Sequence, residues 1–208
     1  MPPDLGAPHP IEAESYPLLQ QRVDLSHLGP GARAVVARVI HASADPDYAD
    51  TMVVDEASVG AGVAAVRAGG PVLTDVEMLQ RGITGIDTIC CLDEVASVSV
   101  TGPTRSARAI ALAARRHPTG ALVAVGCAPT ALLEVLRMAA EEDFAPALVV
   151  ALPVGFVGAA DAKAAARESA LPTISNVGEK GGSAVTAAAV NAIVRLAQAL
   201  PGTGDGRG

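Results

Sequence analysis

ALVAVGCAPTALLEVLRMAAEEDFAPALVVALPVG, residues 121–155, is the stretch whose reading decides the fold. Two short runs in it, Ala121–Gly126 and Ala147–Pro153, are apolar without alternation, as a strand buried on both faces must be. Between them Thr130–Ala140 has the length and spacing of an amphipathic helix. The pattern repeats outward in both directions. Before it, Gly31–Ala42 and Glu56–Ala68 read as helices, the first from the stripe Val35, Val36, Val39 and Ile40. PVLTD (71–75) reads as a short buried strand, followed by a helical turn through Met78 and Leu79. DTICCL (87–92) reads as another strand, then an irregular stretch 97–103 and a helix Arg105–His117. After it come a helix Ala159–Ser169, a short strand Pro172–Asn176 and a last helix Ser183–Leu200. A short helix at 11–21 contains Pro17, which works against it.

Apolar strands alternating with amphipathic helices predict an α/β fold, a three-layer α/β/α arrangement around a mostly parallel sheet. The expected organisation is one domain, residues 10–200, between a loose N-terminus (1–9) and a flexible tail (201–208), both rich in Pro and Gly. Sheets of this kind bind ligands at the loops leaving the carboxyl ends of the strands. Three such loops are rich in glycine: Gly126–Pro129, Gly155–Gly158 and Gly178–Gly182.

With 208 residues, half of them apolar and only 2% aromatic, the core is built from Ala, Val, Leu and Ile. A net charge of −7 argues against a sequence-independent nucleic-acid binder, which needs clustered Lys and Arg to displace counterions. It leaves room for an anionic small substrate held by a local basic cluster. Cys90, Cys91 and Cys127 lack metal-ligand spacing and read as reduced, half-buried core thiols. There is no signal-peptide pattern, and runs such as Ala145–Val154 fall short of the about 20 residues that span a bilayer. The expectation is a cytoplasmic protein with no membrane partner.

Four features carry candidate chemistry. Asn176-Val-Gly-Glu-Lys-Gly-Gly-Ser183 joins a strand to the last helix; Lys180 and the N–H groups of Gly181, Gly182 and Ser183 suit an anion, while helix capping by Ser183 is the plain alternative. His41 closes an apolar helix beside Ser43, Asp45 and Asp47. It can donate a proton near neutrality, yet a histidine at that place more often serves the helix dipole. His9, His27 and His117 sit in weaker surroundings. Arg105 and Ser106 open a helix and can meet a carboxylate, or simply face solvent. Gly60-x-Gly62-x-x-Ala65 matches the dinucleotide fingerprint as a string, but it falls inside a helix and Asp75 is misplaced for the acidic partner. No nucleophile elbow, HExxH or Cys/His cluster is present.

The stretches IEAESY (11–16), ARVIHAS (37–43), PVLTDVEMLQRGI (71–83), TRSA (104–107), APTALLEVL (128–136), LPVGFVGAADAK (152–163) and KGGSAVTAAAVNA (180–192) together resemble the precorrin-8X methylmutase family of cobalamin biosynthesis. Their order and spacing are highly specific, and the likeness runs from about Ile11 to Arg195. The resemblance implies an α/β homodimer with a corrin-sized cleft near the subunit interface, binding a tetrapyrrole, precorrin-8X. It implies migration of the C-11 methyl to C-12, giving hydrogenobyrinic acid or its cobalt-containing equivalent, with no cofactor and no metal ligand in the protein. His41, in the R-x-x-H-A pattern of Arg38–Ala42, takes the place of the family's catalytic histidine. Ser15 matches the serine of its early helix, and Arg105 the arginine of its TRSA element. Arg38, Ser106, Lys180, Gly181, Gly182 and Ser183 complete the expected substrate-binding set. Two departures stand out: Gly126-Cys127-Ala128 where many members have GNA, and Asn176–Lys180 in place of an Arg-rich approach to GGSA. A corrinoid carrier on the same fold would need the anion loops but not His41; a nicotinamide oxidoreductase would need Gly60 and Gly62.

Overall fold

A computed structural model describes residues 10–96 and 102–199. Six strands, β1 (Met52–Val53), β2 (Val72–Thr74), β3 (Thr88–Ile89), β4 (Leu122–Val125), β5 (Leu148–Ala151) and β6 (Thr173–Asn176), form one sheet in the order β1-β6-β5-β4-β2-β3. All pairings are parallel except that of β1 with β6. The sheet is therefore mostly parallel, as expected, with a two-residue antiparallel edge that the sequence does not announce.

Successive side chains of a strand point to opposite faces, and the two cores follow that rule. Val72, Leu122, Ala124, Leu148, Val150, Leu152 and Ile174 face one layer. It holds α1 (Pro10–Gln20), α2 (Pro30–Ser43), α3 (Tyr48–Thr51), α4 (Glu56–Arg67), α5 (Glu77–Gly82) and α9 (Ser183–Gln198). Leu73, Val123, Val125, Val149 and Ala151 face the other, built from α6 (Arg105–Arg116), α7 (Pro129–Glu141) and α8 (Ala159–Glu168). Complete burial of both faces of β4 and β5 is what their unbroken apolar composition requires.

The glycines of the dinucleotide-like string belong to α4. A side chain at Gly62 would strike Leu148 and Ile193, so this glycine lets the helix lie close on the sheet. The strand expected over 87–92 is shorter. It ends at Ile89, and Leu92–Glu94 turns into a 3-10 helix held by Arg105, whose Nε donates to the Leu92 carbonyl at 3.0 Å. The thiols also differ from expectation: Cys91 is buried and Cys90 half-buried, but Cys127 is exposed. Helix α1 continues through Pro17 to Gln20. The expected loose ends, His9 and most of the irregular stretch 97–103 lie outside the described residues. No described helix is long and apolar enough to cross a membrane.

Candidate active site

The parallel strands reverse their winding between β2 and β4, and a doubly wound sheet opens its ligand crevice at such a point. Here the crevice is closed from within. Asp75, fully buried just past the end of β2, accepts hydrogen bonds from the backbone N–H groups of Gly126 (3.1 Å), Cys127 (2.9 Å) and Ala128 (2.9 Å). These are amides of the turn that opens α7, where a phosphate or carboxylate ligand would otherwise bind. Burial pushes the Asp75 carboxyl above its usual range, opposed by the three N–H donors.

His41 lies in the last turn of α2, which ends with Ala44 in the left-handed conformation. Its Nδ1 is 2.7 Å from the Ser15 hydroxyl, and its ring stacks on Tyr16 at a centroid distance of 5.2 Å and 12° between planes. Helix α1 thus holds the imidazole from two directions. His41 and Ser15 line a cavity of about 170 Å³ with Arg22, Ile40, Ala44 and Pro46. Arg38, half-buried one turn earlier, lines a neighbouring hollow with Tyr16 and Arg195.

The turn before α9 reaches the same place. The Nζ of Lys180 lies 2.7 Å from Asp45 and 2.7 Å from Asp47, in the turn following His41. These acids raise the Lys180 pKa, and Lys180 holds the Asp45 carboxyl below its ordinary value. The lysine is thus paired within the protein, not presented as an isolated cation. Helix capping by Ser183 is not what forms: Gly182 occupies the cap with φ 123°, and no side chain caps the helix. The Gly182 N–H donates to the Leu152 carbonyl at 2.8 Å, so of the three amides expected to face an anion, this one is engaged. Gly181 is required for a steric reason, since a Cβ there would run into the Leu152 and Pro153 carbonyl oxygens.

A second buried charge lies under this turn. Lys163 of α8 is completely buried and donates to the Asn176 side-chain oxygen (3.0 Å) and the Lys180 carbonyl (2.7 Å). The Asn176 amide donates to the same carbonyl at 2.9 Å. Burial, aided by the nearby Arg167, lowers the Lys163 pKa to about 8. In the sequence Lys163 carried no role of its own, Asp75 figured only as a misplaced dinucleotide acid, and Asn176 only as the start of the Lys180 turn. The available signals were an acid ending a buried strand opposite a glycine turn, and a lysine on the stripe of Ala159, Ala162 and Ala166.

Arg105 and Ser106 start α6 in the opposite layer. Thr104, the cap of α6, meets Thr130 of α7 at 2.7 Å, which keeps this element at the carboxyl edge of the sheet. The Arg105 guanidinium is turned to Asp93 (3.1 Å) and the Leu92 carbonyl. It makes no described contact with His41. The loop after β5 exposes Val154, Phe156 and Val157, with Phe156 95% exposed. Its Gly155 N–H donates to the Glu179 carbonyl, joining it to the Lys180 turn. No group of three or more potential metal ligands occurs among the described residues.

Known proteins resemble this chain in sequence and in fold. The family profile for precorrin-8X methylmutase matches residues 10–196. A cobalt-precorrin-8 methylmutase of Methanocaldococcus jannaschii is 37% identical, with 79% of each chain covered. A precorrin-8X methylmutase of Pseudomonas aeruginosa is 36% identical over 88% of this chain and 93% of the relative. The crystal structure of precorrin-8X methylmutase from Thermus thermophilus superposes with a TM-score of 0.80 at 36% identity, covering 90% of this chain and 95% of the other. The chain belongs to the precorrin-8X methylmutase family, whose members are isomerases of cobalamin biosynthesis that move a methyl group within one molecule.

Proposed function

We propose that this isomerase moves the C-11 methyl of precorrin-8X to C-12, giving hydrogenobyrinic acid, or does the same to the cobalt-containing precursor to give cobyrinic acid. His41 is the proton donor. The carrying observation is its mounting: Nδ1 against Ser15 at 2.7 Å and the ring flat on Tyr16, at the wall of a cavity. A Ser15 hydroxyl donating to Nδ1 selects the neutral ring protonated at Nε2; in the imidazolium, Nδ1–H donates to Ser15 instead. Donation requires the imidazolium: its Nε2–H is transferred, leaving a neutral ring whose Nδ1–H donates to Ser15. Protonating the conjugated macrocycle withdraws electron density and lowers the barrier to migration, an effect of about 10²–10⁴-fold for a positioned acid.

The acetate and propionate arms call for donors around an apolar slot. Gly181 and Ser183 supply them on one side, where Lys180 exchanges an aspartate for the arm and Gly182 shapes the turn, with Ser15 and Arg38 beside His41 and with Arg105 and Ser106 in the opposite layer. Binding requires Arg105 to exchange Asp93 for a substrate carboxylate. The Gly182 amide, engaged with Leu152, orients the turn while its neighbours face the arm.

A cavity of about 170 Å³ is smaller than the roughly 300–1,000 Å³ of ordinary ligand pockets. An adjoining hollow of about 670 Å³ shares Leu19, Arg22 and Val23 with it; we place the macrocycle over both, between two copies of the chain, the exposed Val154, Phe156 and Val157 forming part of the shared wall. Three free cysteines suit a reducing compartment, and we place the enzyme in the cytoplasm. The test is to supply purified protein with cobalt-free and cobalt-containing precursor and follow the absorption spectrum. Conversion by the wild type, lost in His41→Ala with the bound-substrate spectrum retained, supports the assignment. Turnover surviving in that variant refutes the role of His41, and a spectrum that stays that of bound substrate with wild type marks a carrier.

A further inference from the structure

We propose that Lys163 is a positioning residue: its buried ammonium sets the backbone of the turn Val177–Ser183 that grips a substrate carboxylate. The inference rests on the proposed function for what the turn grips, and on geometry for how it is held.

An ammonium removed from water needs strong compensation, usually a carboxylate. Lys163 has none bonded to it. Its hydrogen-bond partners are two neutral oxygens, Asn176 Oδ1 and the Lys180 carbonyl. Of the charged groups around it, Arg167 on its own helix opposes the ammonium and Glu179 in the turn supports it. Packing alone would be served better by leucine or methionine in a helix face otherwise made of alanine. What an apolar side chain cannot do is draw the Lys180 carbonyl inward.

That carbonyl receives Lys163 Nζ at 2.7 Å and Asn176 Nδ2 at 2.9 Å, so the peptide joining Lys180 to Gly181 has one orientation. With its C=O pointing into the protein, the N–H of the same peptide points away, because the two are antiparallel in a trans peptide. The Gly181 amide is thereby aimed outward, and Gly181 has no Cβ to shield it. Two further ties, Gly155 N–H to Glu179 and Gly182 N–H to Leu152, hold the turn on the loop after β5. The Lys180 side chain leaves on the outer side to meet Asp45 and Asp47. Lys163 therefore acts through the turn and touches no substrate.

The experiment compares wild type, Lys163→Met and Lys163→Arg as full chains. Amide hydrogen exchange across 177–183 is read without ligand, and KM and kcat are read with precorrin-8X. Lys163→Met, of similar length but without donors, is expected to speed exchange in this segment by about tenfold or more while α2 and β4 stay protected. KM should rise about tenfold with kcat within about threefold, the mark of lost binding, not lost chemistry. Lys163→Arg, which keeps charge and donors, should recover most of both. A folded Lys163→Met protein with wild-type exchange in 177–183 and wild-type KM overturns the proposal. So does a loss confined to kcat, or failure of both variants to fold, which would make Lys163 a requirement of the core. If wild type neither converts precorrin-8X nor binds hydrogenobyrinic acid, the functional reading fails, while the exchange comparison still decides whether Lys163 orders the turn.

Discussion

The Ser15 hydroxyl and His41 Nδ1 lie 2.7 Å apart although 26 residues separate them in the chain, so α1 serves as a clamp on the imidazole. A ring fixed at Nδ1 and stacked on Tyr16 presents Nε2 in one direction. His41→Ala should lower kcat by about 10²–10⁴-fold, the range for a positioned acid. Ser15→Ala should cost less, about tenfold in kcat with a rise of about threefold in KM, because the acid remains while its aim and one donor to the substrate are lost. Single-turnover absorbance measurements on both variants distinguish these outcomes.

Asp75 joins the ends of β2 and β4 through three backbone N–H groups. Asp75→Asn keeps the size but turns one acceptor into a donor facing donors. The expected loss of stability is about 2–4 kcal/mol, since buried amides lose their acceptor. Urea unfolding followed by circular dichroism measures it; a change under about 0.5 kcal/mol contradicts the role given to this carboxylate.

Lys163 gives stability a pH dependence of definite sign. Its pKa falls from 10.5 to about 8 on folding, so burial of the ammonium opposes folding at neutral pH. Between about pH 8 and 10.5 the unfolded chain binds a proton that the folded protein has released, and stability rises with pH across that window. The full contribution is of order 3 kcal/mol. Unfolding free energies measured from pH 7 to 10.5 should show this rise in wild type relative to Lys163→Met, whose curve lacks the group.

The Lys180 pairs with Asp45 and Asp47 are exposed and screened by solvent, and contribute little to folding. Lys180→Met should therefore leave the melting temperature within about 3 °C while weakening tetrapyrrole binding about tenfold or more. Titration of hydrogenobyrinic acid into both proteins, monitored by absorbance, reads the difference.

Gly181→Ala places a methyl group against the Leu152 and Pro153 carbonyls, neither of which is a flexible side chain. The turn must shift as a unit. Affinity for hydrogenobyrinic acid should fall by about tenfold or more, with unfolding cost of about 1–3 kcal/mol. Unchanged affinity in the folded variant would remove this turn from the binding site.

The chain by itself determined the layers, the parallel strands and the position of His41 at a helix end. Those follow from local rules: unbroken apolar runs need cover on both faces, and a 3.6-residue stripe needs a core to face. Its ordered stretches from IEAESY to KGGSAVTAAAVNA also carried the family. Local rules failed at the edge strand β1, whose two residues pair with β6 from far along the chain, and at Cys90–Leu92, where Arg105 draws the backbone into a turn. Only the tertiary structure decided how the site is assembled, because its contacts join residues that spacing does not relate. Asp75 finds Ala128 across 53 residues, and Lys180 finds Asp45 across 135. Whether Lys180 meets acids of its own chain, whether the switch-point crevice is open or plugged, and whether a lysine among alanines is buried all depend on which elements pack together. A buried charge is tolerated only where partners converge from several elements, and that convergence exists only in the folded protein.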